Sequence, residues 1–206
     1  SLATTDLIYR VADRVKRFRQ QGHQLVIVVS AMQGDTDHLV SLAKSHCKST
    51  VDLRELANLV SIGEQKCAAL LAMALHSLGF SAKSLNAYQA RIWVDGSPAS
   101  ANISRIEVGH IRSLLTVGTI PVITGFQGIS ECGDVYTVGR GGSDLTAVAL
   151  SHWLQADECQ IYTDVNGVYT VDPNVVSSAQ IVSCLSYAEM LELSRHGAKV
   201  LQYRAV

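Results

Sequence analysis

The chain has 206 residues, 48% apolar and 17% charged, with 17 Lys+Arg against 18 Asp+Glu for a net charge of −1. The length suits one domain, and the apolar fraction excludes a disordered chain, because enough apolar surface exists to offset the entropy of ordering. The balanced charge excludes the one-sided basic field of a general nucleic-acid binder, and no run reaches the roughly 18 apolar residues of a membrane span.

Leu7, Ile8, Val11, Val15 and Phe18 recur at helical spacing, which predicts an amphipathic helix over 4–21 ended by Gly22. The unbroken run Leu25-Val26-Ile27-Val28-Val29 predicts a strand covered on both faces. A loop with Gly34 and a helix over 37–44 follow. Residues 52–78 predict a long helix with a break near Gly63, stopped by Gly79. A short strand is expected at 81–85. The segment 86–106 is mixed, with a turn at Asp95-Gly96-Ser97-Pro98. Next come a helix over 107–116, a buried strand over 119–124 and a glycine-rich stretch from Gly125 to Gly142. A helix over 143–154, a strand over 158–163, a helix over 187–196 and a short strand over 198–201 complete the chain. Strands alternating with helices predict an α/β domain around a central, mostly parallel sheet. Five scattered cysteines without a C-x-x-C pair, and no secretory signal pattern, read as a reduced, cytoplasmic chain without a zinc site.

Ligands of open α/β sheets bind outside the carboxyl ends of the strands. The residues there are therefore the candidates. Gly139-Arg140-Gly141-Gly142-Ser143-Asp144 opens a helix. Its glycines let backbone N–H groups approach an anion, the helix start adds positive potential, and Arg140 adds a planar cationic fork. The same string also reads as a glycine turn with Ser143 or Asp144 as N-cap. Thr163-Asp164-x-x-Gly167 could hold a nucleotide's sugar and phosphate, or be a plain turn. Glu64 could serve a site or lie on a solvated helix face, and Lys199 could meet a phosphate or lie on the surface. A P-loop and a dinucleotide fingerprint are both absent, the histidines show no metal-ligand pairing, and the aromatics form no base-stacking platform.

Several strings occur in a fixed order: Val28-Val29-Ser30-Ala31-Met32, Gly63-Glu64-Gln65, Gly125-Phe126-Gln127-Gly128, Gly139–Asp144, Tyr162-Thr163-Asp164-Val165-x-Gly167-Val168-Tyr169, Asp172-Pro173 and Gly197-Ala198-Lys199-Val200-Leu201. Together they closely resemble the catalytic domain of the aspartate kinases, in the amino-acid kinase superfamily, over almost the whole chain. The ending Leu201-Gln202-Tyr203-Arg204 resembles the monofunctional, lysine- or threonine-regulated branch. The resemblance implies a three-layer α/β/α sandwich, the amino-acid kinase fold, lacking its first strand. It implies ATP-dependent phosphorylation of the L-aspartate side-chain carboxylate to 4-phospho-L-aspartate, which opens the route to lysine, threonine, methionine and diaminopimelate. ATP would be the co-substrate, with Mg²⁺ held mostly by its phosphates and no metal site in the protein. The implied partners are L-aspartate and ATP, with homo-oligomerisation at full length and no nucleic acid or membrane.

The resemblance also assigns roles. Arg140 would clamp the α-carboxylate of aspartate, Glu64 would hold its ammonium, and Thr36, Phe126 and Ser143 would line the same pocket. Asp144 would organise the catalytic lysine and the transfer geometry. Ser30 would sit by the phosphates, Thr163, Asp164 and Tyr169 would contact the nucleotide, and Lys199 its phosphates. Five departures accompany these assignments. Ser1 matches the last residue of the family's first phosphate loop, so the preceding strand and lysine, and the later ACT regulatory domains, are expected to be missing and the fragment inactive or weakly active. Asn174 stands where arginine is usual, Gln33 where glycine is usual, and Lys66-Cys67 where a small or apolar pair is usual. The competing readings are a sibling kinase acting on glutamate, acetylglutamate, carbamate or uridylate, and a non-catalytic effector-binding or assembly subunit. A nicotinamide-dependent oxidoreductase is disfavoured by the absent fingerprint.

Overall fold

β-Branched runs without alternation need cover on both faces, and the fold supplies it. The structure is a computed structural model and describes residues 5–163, 165, 167–171, 175–176, 178–195, 201 and 203–206. In chain order these form α1 (Thr5–Gln20), β1 (Ile27–Val29), α2 (Asp35–His46), α3 (Leu53–Val60) and α4 (Ile62–Ser77). Then come β2 (Ala82–Leu85), α5 (Ala87–Ala90), β3 (Ile92–Ser97), β4 (Ser100–Ile106) and α6 (Gly109–Thr116). Finally come β5 (Ile120–Thr124), β6 (Gln127–Ile129), β7 (Val135–Thr137), α7 (Gly142–Leu154) and α8 (Tyr187–Arg195). Residues 1–159 and 160–206 make two compact units.

In the first unit β1, β5 and β2 form a parallel sheet in the order β1-β5-β2. Ile27 pairs with Val122 and Ala82 with Ile120. One face carries α1 and α4, whose Ile8, Ala12, Cys67, Ala68, Leu71 and Leu75 pack on Val29, Ile120 and Val122. The other carries α6 and α7, whose Ile111 and Leu150 pack with Leu85 and Ile123. This is the expected three-layer α/β/α arrangement with a parallel sheet. Successive β5 residues enter opposite cores, and all five are buried.

The segment that reads as mixed is a β3–β4 hairpin, and the glycine-rich stretch contributes β6 and β7. Together they form a second sheet, β4-β3-β6-β7, with antiparallel β3–β4 and β6–β7 pairs and a parallel β3–β6 contact. A side chain at Gly128 would lie 2.1 Å from Val94 Cγ1, so only glycine admits this packing. The expected helix break falls at Ser61, two residues before Gly63. Gln127, buried in β6, donates its Nε2 to Ser61 O at 3.0 Å and holds that junction.

One expected strand is corrected. Residues 158–163 form none among the described residues. Extended backbone becomes a strand only when a neighbour takes its N–H and C=O groups, and no ladder is present here. The expected strand over 198–201 lies outside the described residues except for Leu201.

The second unit contains α8, started by a reciprocal cap. Glu189 N–H donates to Ser186 Oγ, and Ser186 N–H donates to Glu189 Oε2 at 2.8 Å. Tyr169 and Ile181 form an isolated antiparallel bridge.

Candidate active site

Three helices of the first unit begin at one place. Gly34, Ser61 and Gly141 stand at the N-caps of α2, α4 and α7, and none makes a side-chain capping bond. Gly34 and Gly141 are left-handed, with φ of 82° and 69°, a conformation that glycine adopts without steric cost. The helices start just after β1 or just around the end of β5. Thr36 of α2, Glu64 of α4 and Gly142, Ser143 and Asp144 of α7 line one cavity of about 180 Å³ with Ser30, Phe126 and Gly141. Uncapped N–H groups and aligned peptide dipoles make helix starts positive. The cavity suits a small anionic ligand, because pockets for drug-sized molecules start at roughly 300 Å³.

Glycine permits this convergence. A Cβ on Gly63 would lie 2.8 Å from Ala31 Cβ, so glycine lets α4 touch the loop after β1. A Cβ on Gly125 would lie 2.7 Å from the Cα, Cβ and Oγ of Ser143. A Cβ on Gly142 would lie 2.6 Å from Val138 Cγ2 and 3.1 Å from Phe126 Cα. Between these contacts Phe126 holds φ at 67°, a left-handed backbone that costs a non-glycine residue roughly 1–2 kcal/mol. The buried Thr146 supports it: its Oγ1 accepts from Phe126 N–H at 3.2 Å and donates to Gly142 O at 2.8 Å. One hydroxyl thus ties the corner after β5 to the first turn of α7.

Glu64 is the most perturbed group in the cavity. It is 3% exposed. Its Oε1 accepts from Ala31 N–H at 3.0 Å, and its Oε2 is buried with no hydrogen-bond partner. Burial pushes its pKa from an ordinary 4.5 up to about 7, opposed by backbone hydrogen bonds and assisted by the charge of Asp35. A cation at Oε2 would reverse that shift. Asp144 is also raised, by burial alone. The Cys67 thiol is pushed up to about 12, by burial first and then by Glu64 and Asp35, which leaves it an inert core residue.

The fold therefore brings together Ser30, Thr36, Glu64, Phe126, Ser143 and Asp144. Glu64 faces this cavity rather than solvent. Arg140 is exposed in the loop between the left-handed Gly139 and Gly141, next to the cavity wall but not part of it. Thr163 belongs to the second unit, where it lines a cavity of about 350 Å³ with Ile161, Tyr162, Val165, Gly167 and Val168 among others. Tyr169 is in the same unit at the bridge to Ile181 and is not a wall of that cavity. Asp164, Lys199 and Asn174 lie outside the described residues. Sequence reasoning meets Ala31 and Gln127 only inside the ordered strings, without a role, and passes over Thr146; all three act by contact. Only the i, i+4 spacing of Gly142 and Thr146 hints at one of them.

The profile of the amino acid kinase family matches residues 1–206. The chain belongs to the amino acid kinase family. Over its whole length it is 50% identical to an aspartate kinase of Pseudomonas fluorescens, covering 50% of that protein. The chain spans about half the length of the curated relatives it matches. Among solved structures it matches an aspartate kinase from Synechocystis with a TM-score of 0.83 and 43% identity, covering all of this chain and 34% of that one. It matches Escherichia coli aspartokinase III, solved in complex with aspartate and ADP, with a TM-score of 0.83 and 25% identity, covering all of this chain and 56% of that one. The three-layer arrangement with its parallel sheet is thus the amino acid kinase fold.

Proposed function

We propose that this chain is the catalytic domain of an aspartate kinase, moving the γ-phosphoryl group of ATP to the side-chain carboxylate of L-aspartate. The observation that carries the reading is Glu64, a buried carboxylate with one oxygen unpartnered, in a small cavity ringed by three uncapped helix starts. That combination asks for a small ligand with both a cation and anions, which an amino dicarboxylate is. The likeness to aspartate kinases and the ordered strings support aspartate as that ligand.

The chemistry needs no general base, because the acceptor carboxylate is ionised at neutral pH. One of its oxygens forms a bond to the γ-phosphorus, the bond from that phosphorus to the β–γ bridging oxygen breaks, and ADP leaves with the electron pair. What the protein must supply is positive potential and alignment. Arg140 holds the α-carboxylate with its fork, and Glu64, ionised by the partner, takes the α-ammonium. Thr36, Phe126 and Ser143 wall the pocket, and the start of α7 faces the transferring group with Asp144 as organiser. Ser30 stands by the phosphates. Thr163, Asp164, Tyr169 and Lys199 serve the nucleotide. In this reading Mg²⁺ would be carried on the ATP phosphates. When bound, the ion offsets phosphate charge. The same reading makes the full-length protein a cytoplasmic homo-oligomer.

The test measures ADP release by the full-length protein across a panel of aspartate, glutamate, acetylglutamate, carbamate and uridylate, with hydroxylamine trapping to identify an amino-acid acyl phosphate. Hydroxamate from aspartate alone is expected. Preference for another acceptor would move the protein to a sibling activity, and failure to bind ATP or aspartate by calorimetry would make it a non-catalytic subunit. Arg140→Lys is expected to raise the KM for aspartate about tenfold, because a point charge cannot reproduce two parallel hydrogen bonds. An unchanged KM would remove Arg140 from the carboxylate clamp.

A further inference from the structure

The loop after β1 is pinned to α4 at two points. At its start, Ala31 N–H reaches Glu64 Oε1 at 3.0 Å and the Ala31 methyl packs on Gly63. At its end, Lys66 Nζ lies 2.6 Å from Asp35 Oδ2, the first residue of α2. The second contact is held by charge, since Asp35 Oδ2 makes no directed hydrogen bond. We infer that Lys66 is a positioning residue for the amino-acid pocket: through Asp35 it ties the first turn of α2, which carries Thr36, to α4, which carries Glu64. The inference rests on the aspartate kinase reading above.

Geometry and charge both support it. Without the outer pin, α2 keeps its packing on α3 but its first turn, which carries Thr36, loses its charged tie to α4. Asp35 also faces Glu64 and disfavours its ionised form. Lys66 answers the charge of Asp35. The other titratable groups around Glu64 are Cys67 on α4 and Asp144 on the first turn of α7, across the cavity. Lys66 is about half exposed, so its replacement leaves no buried hole. An ion pair this exposed shifts an equilibrium by at most about fivefold, which sets the size of the effect.

The test uses steady-state kinetics of the full-length protein at saturating ATP and Mg²⁺, from about pH 6 to 9. Lys66→Met is expected to raise the KM for aspartate about fivefold with kcat within about twofold of wild type. The acid limb of kcat/KM should move to higher pH, because the charge of Asp35 is then unanswered. Lys66→Arg should restore both. Asp35→Asn should also raise KM, but it should move the acid limb to lower pH, since the carboxylate pressing on Glu64 is gone. A merely structural surface pair would alter thermal stability and leave both limbs in place. An active wild type whose Lys66→Met variant keeps its KM and its acid limb overturns the inference alone. Equal shifts of the limb in Lys66→Met and Asp35→Asn also overturn it. A wild type inactive toward aspartate overturns the aspartate reading, and the inference with it.

Discussion

Glu64→Gln should make the protein more stable and nearly inactive. The buried carboxylate titrates near 7 in the folded chain against an ordinary 4.5, so the native state holds a proton that the unfolded state has released between these values. The contribution of Glu64 to wild-type stability is therefore fully present below about pH 4.5 and is lost as pH rises through 7, by roughly 3 kcal/mol in all. Glutamine keeps the acceptor for Ala31 N–H, carries no charge and removes this slope. Urea unfolding at pH 5 and pH 8 checks it: the variant should gain on the wild type at the higher pH. The activity result runs the other way. Losing the charged partner of a buried ammonium costs about 2–5 kcal/mol, which is roughly 30-fold to 4,000-fold in kcat/KM for aspartate. A variant that gained stability at pH 8 yet kept its kcat/KM would remove Glu64 from substrate binding. Aspartate itself should stabilise the wild type most at high pH, where it supplies the missing cation.

The second large effect is expected at a residue with no chemistry. Gly125→Ala places a methyl group 2.7 Å from Ser143 Cα, a backbone atom that cannot swing away. The end of β5 and the start of α7 must then part, and they carry Phe126, Ser143 and Asp144. Overpacking of this kind costs about 1–3 kcal/mol, and about 1 Å of misplacement costs about 10² in rate. Urea midpoints and kcat/KM should both fall. Gly109→Ala is the control: nothing lies within 4 Å of its Cβ, and it opens α6. It should change stability by no more than about 1 kcal/mol, in the stabilising direction. If Gly125→Ala behaved like Gly109→Ala, the close approach would not be what shapes the cavity.

Much of this was legible in the residues themselves. Apolar runs and periodic stripes marked the parallel strands and most helices, because a covered strand and a one-sided helix each impose a local pattern. The glycine strings marked the turns at the ends of β1 and β5 and before α7. The hairpin of β3 and β4 was less legible, since the register shift leaves Ser104 as an extra residue in β4 and breaks the alternation there between Ile103 and Ile106. The strand expected at 158–163 failed for a related reason: its residues suit a strand, but pairing is a property of two segments. At the site, Arg140 and Asp144 were visible as a motif, whereas the support given by Thr146 and Gln127 was not.

The sequence alone thus determined the α/β class, the parallel core and the loops that must carry the ligand, since these depend on neighbours along the chain. Only the tertiary structure decided what Glu64 is. A glutamate beside a glycine in a helix is ordinary until Ala31, 33 positions earlier, is brought within 3.0 Å and the helix start is buried. The meeting of three helix starts and the pairing of Lys66 with Asp35 belong to the same class of fact. They are set by distance through space, and the energy of a buried or paired charge depends on that distance and on the excluded water rather than on sequence order.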